Sequence, residues 1–134
     1  MIFLKTDEEI ELMRESNRLV GMTLGELAKH IKPGVTTLQL DKIANEFIRS
    51  HGPIPAFLGY KGAPGTIDFS GCIFSSVSEV VVLGIPTDYE LKIGDIVSVD
   101  CGTEKHGSCV DSALTFCVGE VYEEVKAFLR TTKE

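Results

Sequence analysis

The 134 residues, 43% hydrophobic and 25% charged, suffice for a single domain over 1–134 that buries roughly two-thirds of its unfolded surface, and are too few for a second independent core. A formal charge of −7 with no block of Lys and Arg argues against nucleic acid or an anionic membrane as partner, and leaves carboxylate-based metal chemistry open. Only Ile2, Phe3 and Leu4 separate Met1 from charged residues, and no apolar run approaches the ~18 residues of a membrane span, so a cytoplasmic protein without a secretory leader is expected.

Residues 5–31 carry the first helical period. Thr6 and Glu9 have capping-box spacing, and Asp7 and Glu8 suit the positive end of a helix. Ile10, Met13, Val20, Leu24, Leu27 and Ile31 recur on one face. Asn17 interrupts that stripe, and Gly21 and Gly25 lower the intrinsic helicity, so this helix must rely on packing. Pro33-Gly34 ends it. A second helix starts at Thr36 or Thr37, with Gln39 completing another capping box and Leu40, Ile43, Ala44, Phe47 and Ile48 as its apolar side; His51-Gly52-Pro53 stops it. His30 and His51 fall near helix C-termini, where an imidazole meets free carbonyls, and read as structural.

From 53 to 78 the helical period is lost among prolines and glycines, which predicts a short strand over 56–60, a loop, and a strand over 72–77. The run SEVVVLGIP at 78–86 predicts a strand or an extended edge segment. Over 96–101, period two places Val97, Val99 and Cys101 on one face and Ile96, Ser98 and Asp100 on the other. The loop GTEKHGS, 102–108, turns the chain. In the strand after it, Val110, Ser112, Leu114, Phe116 and Val118 share one face; Cys109, Asp111, Ala113, Thr115 and Cys117 share the other. A third helix begins over 122–130. Cys72, Cys101, Cys109 and Cys117 lack C-x-x-C spacing and read as reduced packing residues rather than zinc ligands.

Asp100 and Asp111 form the chemical centre. Aspartate is disfavoured inside a strand, because its carboxylate competes for backbone donors and must be solvated or paired. If the two strands pair antiparallel, both carboxylates can face one side, several Å apart. There, like charges raise a pKa unless a cation lies between them, and hard or borderline divalent metals accept such ligands. The alternative places both aspartates at strand ends, exposed or capping turns; the spacing alone does not decide.

Six motifs occur in one order: TDEEIELMRESNRLVG, IKPGVTTLQLD, FLGYKG, SEVVVLGIP, GDIVSVDCGT and VDSALTFCVGEV. Through them the chain resembles, over essentially its whole length, the N-terminal half of type I methionine aminopeptidases. These are dinuclear-metal enzymes of the pita-bread (creatinase/aminopeptidase) fold. The resemblance implies an α+β fold, the N-terminal half of a pita-bread fold, with two long helices packed on an antiparallel sheet and the start of a third helix at the C-terminus. It implies metal-dependent removal of the initiator methionine from new proteins, with a peptide N-terminus as substrate and cobalt, manganese, iron or zinc as the divalent metal. Asp100 and Asp111 fall on the family's two metal-binding aspartates, one chelating a single ion and the other bridging both; Tyr60 falls on a substrate-pocket position. In the family reaction the metals polarise the carbonyl and generate hydroxide while a carboxylate moves protons.

The departures gather at function. Leu83 stands where the family has a substrate-contacting histidine and can neither donate a hydrogen bond nor carry a proton. Val110 replaces a glycine, Ser78 an asparagine, and Phe57 and Ala63 occupy pocket positions usually held by other residue types. The family's remaining ligands, one histidine and two glutamates, belong to the C-terminal half and have no counterpart here; His106 reads as a solvated turn residue. The expectation is therefore a truncated chain with no complete catalytic set, inactive or very weak alone, and binding metal on the order of millimolar. Its sheet would have an open edge that a homodimer partner or the missing C-terminal half covers. The competing expectation is a non-catalytic degenerate paralogue or binding module that retains the scaffold.

Overall fold

The computed structural model describes residues 1–61, 64–65 and 68–133. The elements run α1 (Asp7–His30), α2 (Thr37–Ser50), β1 (Ile54–Pro55), β2 (Ile73–Val77), β3 (Ile96–Lys105), β4 (Ser108–Cys117) and α3 (Glu123–Lys133). Ala63 of the expected pocket, and Gly62 beside it, lie outside the described residues.

Local chemistry sets both long helices. The Thr6 hydroxyl accepts the Glu9 N–H at 3.2 Å while the Glu9 carboxylate accepts the Thr6 N–H at 2.7 Å. Thr36 and Gln39 repeat the exchange at 3.1 and 2.9 Å. Each cap contributes about 1 kcal/mol. The buried side of α1 is Ser16, Leu19, Val20, Thr23, Leu24 and Leu27. Its two hydroxyls sit in an apolar contact because Ser16 donates to the Leu12 carbonyl and Thr23 to that of Leu19, one turn back. Ile10, at the start of the expected stripe, is 40% exposed.

The sheet is antiparallel with β3 at its centre. β4 runs along one side of β3, while β2 and β1 share the other, pairing with residues 97–101 and 103–104 respectively. Both helices cover one face of the sheet, where Val97, Val99, Cys101 and Val110 meet Val20, Leu24, Leu27, Leu40, Ala44 and Ile48. Each such large apolar side chain, fully buried, stabilises the fold by about 1.5–3 kcal/mol. Lys105 pairs with Glu15 and so ties the far end of β3 to α1. Asp41 ties α2 to β2: one carboxylate oxygen accepts the Cys72 and Ile73 N–H groups at 2.7 and 3.0 Å. Among the described residues no helix is long and apolar enough to cross a membrane.

Several expectations are corrected. The strand placed over 56–60 is only Ile54–Pro55; Ala56 still donates to the Gly102 carbonyl, after which the chain turns, with Gly59 at φ 78°. The run 78–86 is neither strand nor extended edge. Ser78 at φ 50° and Leu83 at φ 56° reverse the backbone, and Val81, Val82 and Leu83 are exposed. Gly84 then docks that loop on β2. Its carbonyl accepts the Ser75 N–H at 2.8 Å and its N–H donates to the Ser76 hydroxyl at 3.1 Å; a Cβ there would lie 2.2 Å from the Ser75 carbonyl oxygen. Asp95 closes the base of the loop, accepting from the Ser78 and Tyr89 hydroxyls and the Lys92 N–H. The predicted loop 102–108 shrinks to two residues, since pairing continues to Lys105 and Ser108. His106 and Gly107, both at positive φ, make the reversal in the manner of a type I′ hairpin turn. Of the four thiols read as packing residues, Cys72 and Cys101 are buried, whereas Cys109 and Cys117 are exposed.

Candidate functional site

The register of the β3–β4 hairpin decides where the two aspartates face. Asp100 is opposite Ala113, and Gly102 is opposite Asp111. Cross-strand partners share a face and so do residues two apart, so both carboxylates project from the side of the sheet away from the helices. They are diagonal neighbours, with Cα atoms roughly 7–8 Å apart. Their direct partners, Gly102 and Ala113, are the two smallest residue types, so neither puts a bulky side chain of its own between the carboxylates. Neither aspartate lies at a strand end. Asp100 is half-buried and Asp111 exposed; burial, and secondarily the Asp111 charge, push the Asp100 carboxyl above the usual carboxylate range.

One flank of the pair is aromatic. Phe74 on β2 is directly opposite Asp100. Its ring stacks on Phe69 with centroids 4.2 Å apart and meets Phe57 at 4.9 Å. The Phe57 ring lies over Gly102, where a Cβ would come within 3.0 Å of it. Phe57 and Asp111 line a cleft of about 320 Å³ together with Met13, Asn17 and Cys109. The backbone holds this wall in place: Gly59 donates to the Phe69 carbonyl and Phe69 donates to that of Tyr60.

Of the residues singled out from the sequence, the fold thus brings together Asp100, Asp111 and Phe57. Tyr60 follows Phe57 in the same turn, its N–H bonded to the Phe57 carbonyl at 2.9 Å, with its side chain 62% exposed. Leu83 lines a different hollow, of about 520 Å³, with Ser75, Val77, Ile85 and Tyr89. Val110 is buried opposite Thr103 in regular strand pairing, so β4 does not need a glycine there. His30 lies 3.3 Å from the Glu26 carboxylate, His51 Nδ1 lies 2.8 Å from the Phe47 carbonyl, and His106 forms the hairpin turn. Phe69 and Phe74 were not visible as site residues, because only the register of β2 against β3 places them beside Asp100.

The donor set can be tested against a divalent ion. Two carboxylates on one face are hard oxygen donors of the kind such an ion takes. Among the described residues no third His, Cys, Asp or Glu joins them in a metal-holding group. The pair therefore fits two ligands of a centre, short of a full coordination shell.

The family model described as metallopeptidase family M24 matches residues 11–134. The methionine aminopeptidase of Clostridium perfringens (strain 13 / Type A) is 46% identical over 134 residues, which cover 100% of this chain and 51% of the relative. Methionine aminopeptidase 1 of Bacillus subtilis (strain 168) is likewise 46% identical over 134 residues, at 100% and 52% coverage. The crystal structure of methionine aminopeptidase from Rickettsia prowazekii superposes with a TM-score of 0.92 at 37% identity, over 99% of this chain and 51% of that one. The chain spans about half the length of the curated relatives it matches. Its helices and antiparallel sheet correspond to the N-terminal half of the pita-bread fold.

Proposed function

This chain belongs to metallopeptidase family M24, and from that premise we propose that Asp100 and Asp111 are two ligands of a divalent metal centre for removing an N-terminal methionine from a peptide. Residues 1–134 alone supply an incomplete centre, inactive or very weak. The observation that carries the reading is the hairpin register, which sets both carboxylates on one face as diagonal neighbours. A bound ion would polarise the scissile carbonyl and lower the pKa of a bound water. The chain's own residues hold and orient: the carboxylates anchor the ion, and Phe57 and Tyr60 border the space for the substrate's first side chain. Leu83, in the histidine's place, has no proton to offer.

Calorimetric titration with Mn²⁺ or Co²⁺, alongside hydrolysis of a methionyl tripeptide, tests this reading. The expected result is one weak isotherm, on the order of millimolar, lost in Asp111→Asn, with turnover near background. A tight two-ion isotherm would overturn the incomplete-centre reading, and no binding at all would remove the metal.

A second reading, a non-catalytic degenerate paralogue or binding module on the same scaffold, is favoured by Leu83 and by the exposed apolar loop around it. In either reading the protein is cytoplasmic, and the outer edge of β4 is where a second copy, or sequence corresponding to the relatives' other half, would pair. Among the described residues β4 has β3 as its one strand neighbour. Sedimentation of residues 1–134 at roughly tens of micromolar should reveal self-association; a stable monomer there would rule out the homodimer.

A further inference from the structure

Resting on the homodimer reading, we propose that two copies of this chain join edge to edge through β4 in one register, antiparallel and centred on Ala113. That register sets Cys109 of each copy beside Cys117 of the other.

The edge is open to pairing. All of β4, Ser108 to Cys117, pairs with β3 without a bulge, and the strand carries neither Lys nor Pro, the usual guards of an exposed edge. In a two-residue hairpin the pair flanking the turn exchanges both hydrogen bonds, so Lys105 with Ser108 fixes the parity of the ladder. The far end agrees, where Val118 donates to the Asp95 carbonyl and accepts from the Gly94 N–H. The even-numbered residues of β4 therefore turn their backbone groups toward β3. Cys109, Asp111, Ala113, Thr115 and Cys117 turn theirs outward, and among the described residues no strand meets them.

That parity restricts how a second copy fits. Only odd-numbered residues offer outward N–H and C=O groups, so an odd-numbered residue must face an odd-numbered one, and the carboxylate side of one sheet continues into that of the other. Charge then selects among the registers left, since the chain carries −7. Centring on Ser112 would make the two Asp111 residues diagonal neighbours, about 7–8 Å apart. Centring on Ala113 puts each Asp111 opposite the other copy's Thr115 and separates the two Asp111 residues by about 13 Å along the strands, beyond the screening length at physiological salt. Centring on Leu114 leaves Cys109 past the end of the opposite strand. On the helix side, the Ala113 register lays Phe116 against Val110 and makes the two Leu114 side chains, 50% exposed in the single chain, diagonal neighbours.

The thiols report this register. Cys109 and Cys117 are both exposed and share the carboxylate side, but within one copy they are about 26 Å apart along β4 and cannot be joined. Across the junction they are directly opposite, with Cα atoms about 5.5 Å apart.

Sedimentation reads the dimer, and dibromobimane reads the register. Each of its two bromomethyl carbons takes one thiolate and releases bromide, so adjacent thiols on two copies become a covalent dimer on a denaturing gel. Wild type should link, and Cys109→Ser and Cys117→Ser should each abolish the link. Mixing the two variants should restore it, because Cys117 of one then faces Cys109 of the other. Ala113→Pro removes an outward N–H while leaving the β3 ladder whole, and should sediment as a monomer without linking; if it fails to fold, the serine variants decide. A link that persists in either serine variant, a dimer that does not link, or a dimer that survives Ala113→Pro would overturn the register and leave the homodimer standing. A stable monomer of wild type would remove both and leave the edge to sequence corresponding to the relatives' other half.

Discussion

Gly84→Ala tests the docking of the 78–86 loop on β2. The added Cβ would lie 2.2 Å from the Ser75 carbonyl oxygen, 2.8 Å from its carbon and 2.9 Å from the Ser76 Cα. All three are backbone atoms, so no side chain can rotate to make room, and the loop must lift. Two hydrogen bonds then break, Ser75 N–H to the Gly84 carbonyl and Gly84 N–H to the Ser76 hydroxyl, each with a net contribution of about 1 kcal/mol. Allowing for lost contacts, the variant should be destabilised by about 2–3 kcal/mol, a fall in Tm of about 8–12 °C for a chain of this size. Thermal unfolding followed by circular dichroism gives the magnitude, and hydrogen exchange at the Ser75 amide gives the place. A variant that melts within about 2 °C of wild type, with the Ser75 amide still protected, would refute the docked loop. Gly21→Ala is the matched control: nothing lies within 4 Å of the new methyl on α1, so the substitution should stabilise by about 0.5–1 kcal/mol.

Asp41→Ala removes the acceptor shared by the Cys72 and Ile73 amides and should cost about 2–4 kcal/mol in a denaturant melt, since hydrogen bonds to a charged group are the stronger ones. The Asp100 carboxyl is raised by burial and by Asp111, so its contribution to stability is present below its unfolded value of about 3.8 and is lost as pH rises through the folded value. Asp100→Asn should therefore be more stable than wild type at pH 7, by a margin that shrinks toward pH 3; an equal difference at every pH would contradict the cause. Burial pushes the Cys101 thiol up to about 12 and that of Cys72 further still. The stability those protonated thiols contribute is complete below about pH 9 and lost as pH climbs toward 12, so alkaline unfolding should be delayed in Cys101→Ala relative to its own neutral stability. Native protein should accordingly expose Cys109 and Cys117 to a thiol reagent, and yield Cys72 and Cys101 only on denaturation.

What was legible in the sequence was local. Thr6 with Glu9 and Thr36 with Gln39 announce their helices because a cap is a contact across three residues, and the alternation from Ile96 to Cys101 announces a strand because burial follows period two. The failures came where distant partners decide. GTEK looked like loop by composition, yet it is held in β3 by pairing with β4 and β1, with Gly102 leaving the Phe57 ring the space a side chain would fill. VVVL looked like strand by propensity, yet Gly84 locks that run into a loop whose apolar side chains face outward. Asp41, Asp95, Phe69 and Phe74 carry no local signal at all, because their roles exist only once α2, β2 and β3 are side by side. The aspartate pair itself was visible as an oddity of strand composition, and the face it shares became certain only from register.

The two-residue turn at His106-Gly107 has a further meaning for that pair. Side chains alternate along a strand, so the hairpin works as a parity counter: the number of residues at the tip fixes which face Asp111 shows relative to Asp100. One residue added to or removed from the turn, with pairing kept on the Asp100 side, would rotate the whole of β4 by one step. Asp111 would then point among the helices, and Val110 or Ser112 would stand in its place. The tip therefore keeps Asp111 on the face of Asp100 only if its length changes by an even number of residues, and the positive φ of both His106 and Gly107 restricts its residue types as well.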